Sequence, residues 1–380
     1  MDPCMAIIGT FGEFAHAACS HFMKPEKIIN PITACIQQQL GHLKQNIDSV
    51  FTCWKEKVEP KITEQSTIIE ATLSRIQKSI ETECSDAASS TVALFVLPSL
   101  ASLSNGQIEM MRRLAKVDIA EVNQKWPGTC DIIQLGTIQG IAFAHSKEVN
   151  PERKTLFYFL GNNGFWEQRV YELLEVHRHT GVDIFCYNYR GTGGNTQFPL
   201  TDKALIDDGA MQVRNILLQG VSPRKILLYG KSLGAGVAAE IAGLLEDENI
   251  SVNVGSETGF RSLAAVIAHV TKDIPLLGPK CAPIAHEYGW RLHPEAVLTK
   301  LKGHLIIVDN KQDGLIPPAI SFGTAVDEAK PSLQLRSITR IEMNDREYER
   351  EAQAVRDPHT RPLSMQEREE LYAAIRQVLA

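Results

Sequence analysis

A serine stands between two glycines in Gly230-Lys231-Ser232-Leu233-Gly234, where an apolar β-type run, Lys225 to Tyr229, gives way to an alanine-rich helical stretch. In that setting Gly-x-Ser-x-Gly is the pattern of a nucleophilic hydroxyl on a sharp strand-to-helix turn. The positions two before and two after the serine must be small, because backbone and neighbouring elements come too close for side chains. Ser232 then projects at a helix amino terminus, whose dipole and free N–H groups favour a developing oxyanion. A hydroxyl attacks poorly unless a base takes its proton and a third group orients that base. Both requirements are met further along the chain. Asp313 lies in Asn310-Lys311-Gln312-Asp313-Gly314, after the apolar run His304 to Val308, and is the expected acid; Asp309, at the end of that run, is the second choice. Of the histidines beyond Ser232, only His359 follows the acid. It sits in the turn-rich Arg356-Asp357-Pro358-His359-Thr360-Arg361-Pro362 and is the expected base.

The oxyanion formed by such an attack needs two N–H donors. Leu233, directly after the serine, supplies one. The loop Gly161-Asn162-Asn163-Gly164, after the run Phe157 to Leu160, supplies the other, with Asn162 first and Asn163 second. A second glycine-rich stretch, Tyr187 to Asn195, has neither Gly-Lys-Ser/Thr nor Gly-x-Gly-x-x-Gly spacing, so a phosphate cradle is a weak reading there. The eight cysteines are scattered without a Cys-x-x-Cys pair and without clustered histidines. They read as reduced, mostly buried thiols rather than a disulfide scaffold or zinc site, and a cytosolic compartment is the expectation. No metal and no organic cofactor is called for. A net charge of −6 with no dense Lys/Arg run argues against nucleic acid as a partner.

Positioning these residues requires strand–helix alternation, and the chain changes to that grammar at about Cys130. Residues 131–135 and 139–144 read as an opening hairpin, followed by strands over 155–160, 184–189, 225–229, 252–254, 304–308 and 333–338. Helices fit near 167–179, 203–219, 235–247, 261–272, 320–329 and 364–379. The expectation is an α/β class fold with a mostly parallel eight-stranded sheet, helices on both faces, and the site at strand carboxyl ends. Between Arg261 and Leu301, one helix and the proline-rich segment Pro275 to Pro283 would make a modest lid.

Residues 1–125 read as a separate helical region before a domain over 126–380. Ile36, Leu40, Leu43, Ile47, Val50, Trp54 and Val58 recur at helical spacing, and the pattern resumes after Pro60 through Ile62, Ile69, Leu73, Ile76 and Ile80, as in an αα-hairpin. Such a hairpin suits a helical layer, a lid or an arm for a protein partner. Residues 5–22 could instead lie on a membrane surface. Glu13 and His16 interrupt that run, so no secretory signal is evident, and the apolar stretch Thr91 to Leu103 is too short to span a bilayer.

The run Tyr187-Asn188-Tyr189-Arg190-Gly191-Thr192-Gly193 ahead of the serine, with Asp313-Gly314-Leu315-Ile316-Pro317 after it, resembles the bacterial serine α/β-hydrolases over about residues 130–380. More narrowly, Gly-Lys-Ser-Leu-Gly-Ala-Gly, Gly-Asn-Asn-Gly and the overall layout resemble the chlamydial CHLPS family and SidB-like Legionella effectors. The resemblance implies an α/β-hydrolase fold, a Ser232–Asp313–His359 triad, and a bacterial effector delivered into a host cell. The chain departs from many relatives in having Leu160-Gly161 where His-Gly is usual, which leaves the backbone donor intact. The functional expectation is hydrolysis of an ester, thioester or lipid acyl bond through an acyl-enzyme, in the manner of an esterase or lipase. A serine peptidase would share the machinery. A catalytically silent hydrolase fold serving as a protein-binding platform is the alternative from another class.

Overall fold

The computed structural model describes residues 122–124, 129–135, 138–144, 151–162, 164–190, 192, 199, 201–272, 278–346, 348 and 357–380. The chain divides into two units, Met1–Asn105 and Gly106–Ala380, and all described residues belong to the second. The expected amphipathic segment, helical hairpin and amino-terminal lid or partner arm lie outside the described residues. So does Asn163.

Eight strands form one sheet: β1 (Thr129–Leu135), β2 (Ile138–Ala144), β3 (Thr155–Phe159), β4 (Asp183–Tyr187), β5 (Ile226–Lys231), β6 (Asn253–Glu257), β7 (His304–Asp309) and β8 (Ser337–Glu342). Their spatial order is β1-β2-β4-β3-β5-β6-β7-β8. Strand β2 runs antiparallel to both its neighbours, and every other pairing is parallel. The central strands are apolar runs because both their faces are covered: all residues of β3, β5 and β6 are buried.

The covering helices are α1 (Val170–Thr180), α2 (Asp202–Leu218), α3 (Leu233–Asp247), α4 (Leu263–Thr271), α5 (Gly278–Glu287), α6 (Pro294–Val297), α7 (Phe322–Ala329) and α8 (Met365–Val378). Helix α3 packs on β3, β5 and β6, with α2 and α6 against it. Alternation along β5 turns Gly230 toward α3 and sends Tyr229 and Lys231 to the other face. Helices α1 and α8 pack together, His179 stacking on Tyr372 with centroids 4.9 Å apart. This strand order, with the serine turn leading from β5 into α3, is the α/β-hydrolase fold.

One expected element is displaced, and one helix forms where none was expected. The last strand is Ser337–Glu342 rather than 333–338, because the alternation Leu333, Leu335 belongs to an irregular approach and the true strand is a partly exposed edge carrying Arg340 and Glu342. The proline-rich segment holds a helix, α5, despite Pro283 within it. An interior proline removes a helical hydrogen bond and crowds the preceding turn; here burial of Cys281 and Ala285, with α5 packed along α4, outweighs that cost.

Candidate active site

Ser232 has φ 53° and ψ −116°, a backbone conformation that strands and helices do not use. Holding a non-glycine residue there costs of order 1–3 kcal/mol, so the surroundings must enforce it. Three contacts do. The Ser232 N–H donates to the Glu257 carbonyl at 2.8 Å, tying the turn to the end of β6. A Cβ on Gly230 would lie 2.1 Å from the carbonyl of Gly234, and one on Gly234 would lie 2.1 Å from the Phe159 carbonyl oxygen. Both glycines are therefore demanded by close backbone approach, as the motif implied. Thr258, just past β6, also has positive φ, at 46°, and donates its N–H to Val308 at 2.8 Å, linking the ends of β6 and β7.

Asp313 lies on the turn after β7, closed by its own N–H to Asn310 O at 3.2 Å. Its Oδ1 accepts from the N–H groups of Leu315, at 2.9 Å, and Ile316, at 2.8 Å. That fixes the carboxylate and aims Oδ2 at His359 Nδ1, 2.7 Å away. A carboxylate can only accept, so Nδ1 carries the proton and Nε2 of the neutral ring is left as an acceptor. Ser232 Oγ lies 3.0 Å from Nε2 and donates to it. Asp313 and His359 are both buried. Asp309 faces elsewhere, toward Arg340 at 3.6 Å, so the acid beside His359 is Asp313.

The loop carrying His359 is pinned along its length. Asp357 accepts the His359 N–H at 3.1 Å through Oδ1. Asn310, from the acid turn, donates through Nδ2 to the Pro358 carbonyl at 3.1 Å and to Asp345 at 2.9 Å. Arg361, almost wholly buried, donates to Asp345 and to both carboxylate oxygens of Glu367, and lies 4.9 Å over the Tyr348 ring. Glu367 also completes a capping box with Ser364 at the start of α8. The His359 loop and the last helix thus share one buried carboxylate. Nothing in local sequence pattern marks Arg361, because its partners come from two separate segments.

Leu233 is the first residue of α3, where N–H groups have no intrahelical acceptor. Opposite it, a Cβ on Gly161 would stand 3.3 Å from Lys231 O and 3.8 Å from the Ser232 Cβ, so the Gly161-Asn162 turn passes beside Ser232. Tyr189 supports this turn by donating to Leu160 O at 3.0 Å. Asn188 accepts from Trp166 N at 2.9 Å, and Arg190 is held by both oxygens of Asp208 at 2.5 and 2.6 Å. Tyr189 thus braces the Gly161-Asn162 turn, while Asn188 ties to Trp166 and Arg190 to helix α2. Among the described residues no group of three or more His, Cys, Asp or Glu side chains converges on a point that would hold a metal ion. Among them, too, no helix is long and apolar enough to cross a membrane.

No family profile matches the chain. A multifunctional-autoprocessing repeats-in-toxin protein of Vibrio cholerae is 27% identical over 106 residues, which is 27% of this chain and 2% of the toxin. An uncharacterized membrane protein of Saccharomyces cerevisiae is 28% identical over 143 residues, 37% of this chain and 48% of the yeast protein. The chain therefore spans less than half the length of these curated relatives. Among solved structures, an esterase from Pyrococcus furiosus superposes with a TM-score of 0.47 at 14% identity, covering 68% of this chain and 92% of the esterase.

Proposed function

We propose that this chain is a serine hydrolase that cleaves an acyl ester, thioester or lipid acyl bond through an acyl-enzyme. What carries the reading is one chain of contacts: Ser232 Oγ to His359 Nε2 at 3.0 Å, and His359 Nδ1 to Asp313 Oδ2 at 2.7 Å, with the serine on a strained turn. Ser232 Oγ attacks the acyl carbon while His359 Nε2 takes its proton; Asp313 stabilises the resulting imidazolium and holds its tautomer. The carbonyl oxygen, now negative, accepts from the N–H groups of Leu233 and Asn162. Collapse expels an alkoxide or thiolate, which His359 protonates. A water then enters, loses its proton to the same Nε2 and releases the acid, regenerating Ser232.

The assembled contacts favour this reading over a silent binding platform, which has no need for a strained serine or an oriented histidine. Esters and thioesters are favoured over amides because their leaving groups require less protonation at departure. The test is hydrolysis of short- and long-chain p-nitrophenyl esters by wild type and Ser232→Ala. Turnover falling by about 10⁴-fold or more in the variant is expected; equal rates would refute the proposal, and the chain-length preference separates esterase from lipase. Delivery into a host as a bacterial effector belongs to the same proposal. It draws on the likeness to the Vibrio toxin, and a translocation reporter fused to the chain tests it.

A further inference from the structure

Lys231, the variable residue of the Gly-x-Ser-x-Gly turn, is an unusual lysine: it is buried, with 7% of its surface exposed, and its side chain points away from α3. Its ammonium donates to Glu257 Oε1 at 2.7 Å and to the main-chain carbonyl of Arg361 at 3.3 Å. The other Glu257 oxygen accepts from Tyr229 Oη at 2.7 Å. Burial pushes the Glu257 carboxyl up, but the Lys231 charge, with hydrogen bonds from Lys231 and Tyr229, more than offsets this and holds it below the usual range. Both oxygens of the Glu257 carboxylate are therefore engaged by donors. The same two residues touch the site through their backbones: Glu257 O accepts the Ser232 N–H at 2.8 Å, and Lys231 O lies against Gly161 of the oxyanion turn.

We propose that the Lys231–Glu257 pair is a positioning strut that sets the height of the His359 loop over Ser232. Resting on the serine-hydrolase reading, it makes Lys231 and Glu257 positioning residues, since neither touches the reacting atoms. The geometry explains why a charged pair stands where an apolar one would pack. An apolar side chain at 231 would leave the Arg361 carbonyl without this donor, and the loop two residues past His359 would lose its tie to β5. A displacement of about 1 Å at a catalytic group suffices to slow chemistry by about 10²-fold.

The test compares wild type with Lys231→Met/Glu257→Gln, which removes both charges together. The single Lys231→Met would leave Glu257 buried and unpaired, and loss of folding would then confuse the result. Two readouts are needed. In steady-state ester hydrolysis the double variant is expected to lose at least tenfold in kcat with KM within twofold and an unchanged melting temperature. In proton NMR, the downfield Nδ1–H resonance of His359, assigned by its absence in His359→Gln, is expected to broaden or vanish. Wild-type kcat with an unshifted resonance would overturn the strut while leaving the hydrolase reading intact. A wild type that turns over no acyl substrate would sink the hydrolase reading; the resonance would then decide the strut alone, its retention in the double variant counting against it and its loss in favour.

Discussion

Asp309 ends β7 and Asp313 closes the turn that follows it, yet the two have opposite surroundings. Two backbone N–H groups and His359 meet the carboxylate of Asp313, whereas burial pushes the Asp309 carboxyl up to about 6, against the opposing pull of Arg340. A pKa raised on folding means that the folded state binds the proton more tightly. The Asp309 contribution to stability is then full below its unfolded value, near 3.8, and is lost as pH rises through about 6. The melting temperature of wild type relative to Asp309→Asn should fall across that window, by the equivalent of no more than about 3 kcal/mol; a parallel pair of curves would contradict this. For Asp313→Asn the expectation is different. The fold should persist while kcat falls by roughly 10³–10⁴-fold, because an amide can hold His359 in the wrong tautomer. Ser232, Asp313 and His359, which the structure brings into contact, were legible as residue types in chain order, each on a turn or loop beyond a recognisable run. The partnership of Lys231 with Glu257 was not, because the pair is brought together only by the adjacency of β5 and β6.

At the scale of elements, turns rather than strands or helices bring Ser232, Asp313 and His359 together. Gly234→Ala would press a methyl group into the Phe159 and Leu160 carbonyls, which belong to a central strand and its loop and cannot give way together. A loss of about 3 kcal/mol, or failure to fold, is expected from thermal melts. Arg361→Met would strand Asp345 and Glu367 without their buried cation, at about 3–5 kcal/mol. Its melt should drop by more than that of Lys311→Ala, whose exposed pair with Glu342 contributes little. The strands were readable where they are buried on both sides, since continuous apolar runs admit few alternatives. The edge strand β8 was placed four residues early, for its exposed positions carry charge and the neighbouring Leu333 and Leu335 imitate the pattern. Helix α5 went unread because its prolines argue against it locally and only packing on α4 argues for it.

At the scale of the whole molecule, the sheet order brings the carboxyl ends of β5, β6 and β7 side by side, and the serine turn, the Glu257-Thr258 corner and the acid turn all project there. His359 arrives from beyond β8, on a loop locked between the Asp313 turn and α8. Strand–helix alternation made the fold class readable, but the precise meeting of these loops depends on contacts across 46 and 127 residues that no local pattern encodes. A binding platform would be indifferent to that meeting; a hydrolase depends on it. The direct measurement is mass spectrometry of the folded chain after a fluorophosphonate probe, with the adduct mapped to a peptide. One adduct on Ser232, absent from Ser232→Ala and formed much more slowly in His359→Gln, is the predicted result. A folded wild type that carries no adduct on Ser232, or labels equally in Ser232→Ala, would contradict the account.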